Sequence, residues 1–181
     1  MPLSTASKTP ETISCANAGA AEPLKAAMPL PPLPLDAITI GVRVDDWRAA
    51  VAAAGEALER SGATGPGYTE RMIGVIDEFG AYVVIAPGLA LAHARPGPDV
   101  IAHGLSVVTL AEPVEFGHPH NDPVSVIVGL AVSSSDEHVR FVAELANVFN
   151  DPRVLPALAA AKDAAAIRSL FCVVAAIEES E

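Results

Sequence analysis

Tyr82-Val-Val-Ile-Ala-Pro-Gly-Leu-Ala-Leu-Ala-His-Ala-Arg-Pro96 is an apolar run, broken by Pro87-Gly88 and ended abruptly by His93. Short apolar runs bounded by turn formers read as buried strands, so Tyr82 to Ile85 and Leu89 to Ala92 are both strand candidates. The second of them delivers an imidazole to the point where the chain leaves the sheet. Around it, Ile38, Ile40, Val42 and Val44 alternate with other residues as a strand does, and Leu105 to Leu110 and Val124 to Val132 complete the set.

The helices follow from periodicity and punctuation. Asp45 or Asp46 can cap a helix over Trp47 to Arg60 that Ser61-Gly62 ends. Beyond Gly65-Pro-Gly67, Thr69 and Glu70 open a shorter helix reaching Phe79. Ser135 is the expected cap of a helix whose apolar positions Val139, Val142, Ala143, Ala146 and Phe149 share one face. Asn150-Asp151-Pro152 stops it, with Pro152 suited to the first turn of another helix. A last helix from about Asp163 turns Ile167, Leu170, Phe171, Val174 and Ile177 inward. Strands in the middle with helices at both ends predict an α/β fold, a single mixed β-sheet flanked by helices.

Residues 1–35 read as a Pro/Ala-rich flexible tail, because Pro29-Leu-Pro-Pro-Leu-Pro34 favours extended backbone and the stretch before it lacks periodicity. The folded domain is then 36–181. Of the 181 residues 51% are hydrophobic, enough for one real core, while aromatics are only 4%, so small aliphatic side chains must fill it. A formal charge of -11 argues against nucleic acid and against an anionic membrane surface. No segment is a membrane span, and the start of the chain lacks a secretion signal. Cys15 and Cys172 are expected as free thiols, which fits a cytoplasmic protein.

Five histidines carry the possible chemistry. An isolated strand-end histidine is ordinarily structural, but Pro87-Gly88 before His93 and Ala94-Arg95-Pro96 after it fix an irregular exit. Free backbone N–H groups there, together with Arg95, could bind phosphate oxygens. Neutral imidazole is a competent nitrogen nucleophile near pH 7. His138 falls in the first turn of its helix, where the helix dipole favours an anion. Beside His93 it could stabilise a phosphoryl oxygen during transfer. His118-Pro-His-Asn-Asp122 invites a metal reading, but Pro119 and Pro123 and the lack of a completing ligand favour a rigid turn beside the active site. His103 is expected at the surface, and Trp47 in helix packing. There is no phosphate-binding glycine loop of either nucleotide type and no nucleophilic-serine elbow, so any phosphoryl group should come from another protein.

From about Tyr68 to Leu170 the chain resembles the enzyme IIA domains of the sugar phosphotransferase system. The likeness is to the mannitol/fructose type, and most to its ascorbate-like branch. Three segments carry it: Val84 to Pro96, Pro113-Val-Glu-Phe-Gly-His-Pro-His-Asn-Asp-Pro-Val124, and Asp136-Glu-His138. The resemblance implies a protein-histidine phosphotransferase that accepts phosphate from the phosphocarrier HPr on His93 and passes it to an enzyme IIB partner during sugar uptake. His138 would assist and Arg95 would bind phosphate, with no metal or organic cofactor, no membrane insertion, and a homodimer left open. Three positions depart from the family pattern. Ala92 replaces the proline before the active histidine and should loosen the ring. Gly97 replaces an acidic residue, and Asp77 stands where the mannitol-like branch has an arginine, leaving anion binding to Arg95 or backbone amides. The competing reading keeps the fold but makes the domain regulatory, its phosphorylation state controlling protein binding rather than transport.

Overall fold

The structure is a computed structural model that describes residues 30–177. Its centre is one five-stranded sheet in the order β1-β4-β5-β3-β2, built from β1 (Ile38–Val42), β2 (Val84–Ala86), β3 (Leu89–His93), β4 (Gly104–Val114) and β5 (Val124–Ala131). β1 pairs parallel with β4 and β3 parallel with β5, while β4–β5 and β2–β3 are antiparallel, so the sheet is mixed. Helices cover both faces, as the periodicity predicts. α1 (Trp47–Arg60) and α2 (Tyr68–Phe79) lie on one side; α3 (Ser135–Asn150), α4 (Val154–Ala160) and α5 (Ala164–Ile177) lie on the other.

Each central strand is apolar on both faces because each face is covered. Leu89 and Leu91 of β3 join Val126, Val128 and Leu130 of β5 in the core under α3–α5, while Ala90, Ala92 and Ile127 join the core under α1 and α2. The α1 face is made of Ala50, Val51, Ala54, Ala57 and Leu58, all fully buried. Such small side chains bring the helix backbone near the sheet, where Ser106 Oγ donates to Ala54 O at 2.8 Å.

Several expectations need correction. Residues 30–35 are not all tail: Pro31 and Leu33 are buried, and Leu105 N donates to Pro32 O at 2.9 Å. A 3-10 turn, Leu35–Ala37, then leads into β1. Residues 81–83 form another 3-10 turn rather than the start of β2. β4 runs on to Val114, past the expected end at Leu110, through the exposed residues 111–113. The cap of α3 is Ser134, not Ser135: its Oγ accepts from Glu137 N and donates to Glu137 Oε2 at 2.6 Å. Asp46 rather than Asp45 caps α1. Residues 1–29, Cys15 among them, lie outside the described residues, as do the side chains of Cys172, Val174 and Ile177.

Candidate functional site

His93 closes β3 in register with Leu130 of β5, and its side chain falls on the same face as Leu89 and Leu91, the face that α3 covers. His138 comes from the first turn of α3. The two imidazole centroids are 4.9 Å apart. Both rings are half-buried and line a cleft of about 400 Å³ with Val75, Phe79, Tyr82, Ala94 and Arg95.

The tautomer of His93 follows from one contact. Its Nδ1 lies 2.8 Å from Leu91 O, and a carbonyl can only accept, so Nδ1 carries the proton. The Nε2 lone pair is therefore the available nucleophile when the ring is neutral. Burial pushes the His93 pKa below its ordinary 6.5, outweighing the opposite pull of the Leu91 carbonyl. His138 is lowered as well, first by burial and then by His93. Two neutral rings at pH 7 give one nucleophilic nitrogen and one neighbouring N–H donor. Besides the Leu91 contact, the Tyr82 ring lies near-perpendicular to the His93 ring at 6.0 Å, and Ala92 pairs in sheet register with Gly129.

The backbone beyond His93 is held by a network that sequence reading missed. Tyr68, fully buried on α2, donates to Leu130 O at 2.6 Å and accepts from Ala94 N at 3.2 Å. Burial pushes its phenol up to about 12, so it remains a donor. The first amide after the strand is thus taken, which corrects the expectation of free N–H groups there. Arg71 donates to the Arg95 carbonyl and pairs with Asp99. Gly97 has its reason here, since a Cβ at this position would run into the Arg71 guanidinium and Asp99 Oδ1. The arginine side chain of Arg95 itself is exposed along the cleft.

Asp77 takes no part in the cleft. Its carboxylate receives a two-pronged contact from Arg48 of α1, one prong at 2.7 Å, and the pair lies on the exposed helix surface. Trp47 packs as expected, 6.1 Å from the Phe116 ring, with the Arg48 guanidinium over its face. His103 is more engaged than a surface residue. Its Nε2 lies 3.2 Å from Glu137 Oε2 and its Nδ1 accepts from Ser133 N, tying the start of β4 to the start of α3.

The His118–Asp122 segment is a rigid turn, but not beside His93. Asp122 Oδ2 accepts from the amides of Phe116, Gly117 and His118, and His118 Nδ1 accepts from His120 N and Asn121 N. The turn leads into β5, which runs parallel to β3, so it meets the beginning of β3: Gly88 N donates to Asn121 O. His93 is at the other end of that strand, roughly 16 Å away. Among the described residues no three His, Cys, Asp or Glu side chains gather as a metal set.

Comparison with known proteins gives a consistent family. Residues 32–172 match the family described as "Phosphoenolpyruvate-dependent sugar phosphotransferase system, EIIA 2". The ascorbate-specific PTS system EIIA component of Salmonella typhimurium is 32% identical over 137 residues, covering 75% of this chain and 89% of that protein. The mannitol-specific cryptic phosphotransferase enzyme IIA CmtB of Escherichia coli superposes with a TM-score of 0.69 at 22% identity, covering 78% of this chain and 95% of that one. The enzyme IIA of the E. coli mannitol system, solved in complex with phosphorylated enzyme IIB, superposes with a TM-score of 0.68 at 21% identity, over 78% of this chain and 99% of that one.

Proposed function

The chain belongs to the EIIA 2 family of the sugar phosphotransferase system, and on that premise we propose that His93 is the residue through which it carries phosphate. It is a phosphoryl-carrier component, a phosphotransferase working between proteins. The observation that supports His93 is its pairing with His138 at 4.9 Å, with Nδ1 committed to Leu91 O and Nε2 left toward the cleft.

In the transfer, the Nε2 lone pair forms a P–N bond as the P–N bond of phospho-HPr breaks. The bonding pair returns to the donor's nitrogen. The Nδ1 proton stays in place against Leu91 O, which favours the positive charge the ring gains. His138 donates its N–H to a phosphoryl oxygen, and Arg95 contributes fixed positive charge at the cleft wall. Running the same exchange forward delivers phosphate to an enzyme IIB partner. The sugar never enters this cleft, so ascorbate as the transported substrate is supported by kinship with the ascorbate-specific relative alone. No helix among the described residues is long and apolar enough to cross a membrane, in keeping with a carrier that docks on other proteins.

Incubation with labelled phosphoenolpyruvate, enzyme I and HPr should place an acid-labile, base-stable phosphate on the chain. His93→Ala should take no label, and His138→Ala should take it more slowly. Normal labelling of the His93→Ala chain would reject the assignment.

A further inference from the structure

Resting on the His93 carrier reading, we propose that Tyr82 is a further catalytic residue, its hydroxyl donating a hydrogen bond to the phosphoryl group held on His93. A phosphoryl group in transfer spreads negative charge over three equatorial oxygens, and each needs a donor. His138 supplies one from α3 and Arg95 another from the exit of β3. The remaining wall, built by α2 and the turn after it, brings Val75, Phe79 and Tyr82 to the cleft. Two of these are hydrocarbon. Asp77, on the same helix, is turned away to Arg48. On that wall the phenol is the group able to donate.

The ring shares the cleft with His93 and packs against it. It stands at 89° to the His93 ring with centroids 6.0 Å apart, and at 85° to Phe79 at 6.4 Å, so it contacts both rings in near-perpendicular geometry. The backbone beneath it is equally constrained. Gly80, at φ 79 and ψ -164, ends α2 in a conformation that only glycine adopts readily, and Val83, next in the 3-10 turn, is 1% exposed. Among the described residues the Tyr82 hydroxyl has no hydrogen-bond partner, and its side chain lines the cleft. Burial raises the phenol's pKa, against a smaller opposing effect of Arg95, and the group keeps its proton at neutral pH.

A phenylalanine at this position would finish an apolar docking rim equally well, which makes the hydroxyl the testable part. Full-length chain carrying Tyr82→Phe would be phosphorylated from pre-formed phospho-HPr in single-turnover mixing, and its phosphohistidine examined by phosphorus NMR. The expected result is transfer about ten- to a hundredfold slower at saturating donor, the loss anticipated for one hydrogen bond to a charged group. Half-saturation should be unchanged and the phosphorus resonance displaced. Wild-type rate and resonance would overturn the proposal. So would a change confined to half-saturation, which would make Tyr82 a docking residue. A wild-type chain that takes no label on His93 would remove the carrier reading itself, an outcome distinct from a labelled wild type matched by its Phe variant.

Discussion

At His93, burial and one backbone carbonyl oppose each other, and burial prevails, so the ring is neutral at a lower pH than a free histidine would be. Nucleophilic attack needs the neutral form. Single-turnover acceptance of phosphate should therefore decline with acid along a limb whose midpoint lies below 6.5. A midpoint at or above 6.5 in the His93-dependent limb would contradict it. The same shift has a stability consequence. The unfolded chain takes up the proton near 6.5 while the folded chain resists it, so acidification through that window favours unfolding. The urea midpoint should fall between pH 7 and pH 5, and fall less in His93→Gln. Much of this residue was readable: a histidine ending a buried apolar strand declares its position. What closed the adjacent amide was not, because the Tyr68 hydroxyl arrives from α2, 26 residues earlier in the chain. The tautomer was equally hidden, since it depends on where a ring folds back against its own strand.

At the scale of elements, the start of α3 decides where His138 points. Ser134 accepts from Glu137 N, Glu137 returns a carboxylate to the Ser134 hydroxyl, and His103 reaches the same carboxylate from the start of β4. Ser134→Ala should lower stability by about 1 kcal/mol, and Ser135→Ala by far less. Thermal unfolding of the two variants distinguishes them, and an equal effect would mean the cap is shared. Three consecutive serines, 133–135, made the cap ambiguous to sequence reading; the return contact from Glu137 settles it. The α1 side of the sheet makes a sharper demand. A Cβ on Gly129 would press into Ser106 Oγ, which is already committed to Ala54 O, and would meet Leu58 Cδ1 at 3.2 Å. Gly129→Ala should cost about 1–3 kcal/mol by overpacking, seen as a lower urea midpoint with an unchanged slope. Nothing in the local pattern of β5 marks this glycine, because the obstruction comes from another strand and a helix.

The whole molecule is one sheet shared by two cores, and its ten main elements follow from patterns within each segment: alternation, helical spacing, caps and turn residues. The strand order does not. β1 lies beside β4 and β3 beside β5, pairings that depend on side chains far apart in sequence. The least legible part was the entry to the domain, where a run of prolines suggested a tail although Leu33 is only 6% exposed within the core under α3–α5. Prolines forgo backbone donors, but Pro32 still offers its carbonyl to Leu105 at the head of β4, so the segment is fastened to the sheet by an acceptor and one apolar anchor. A chain beginning at Asp36 should therefore be less stable than one beginning at Leu30. The loss of Leu33 burial alone is worth about 1.5–3 kcal/mol, with the freed Leu105 amide adding to it. Leu33→Ala in the longer chain should reproduce most of that loss without shortening the backbone. Urea midpoints measured side by side would decide it: if the chains starting at 30 and 36 unfold together, residues 30–35 contribute nothing to the fold and the boundary belongs at Asp36.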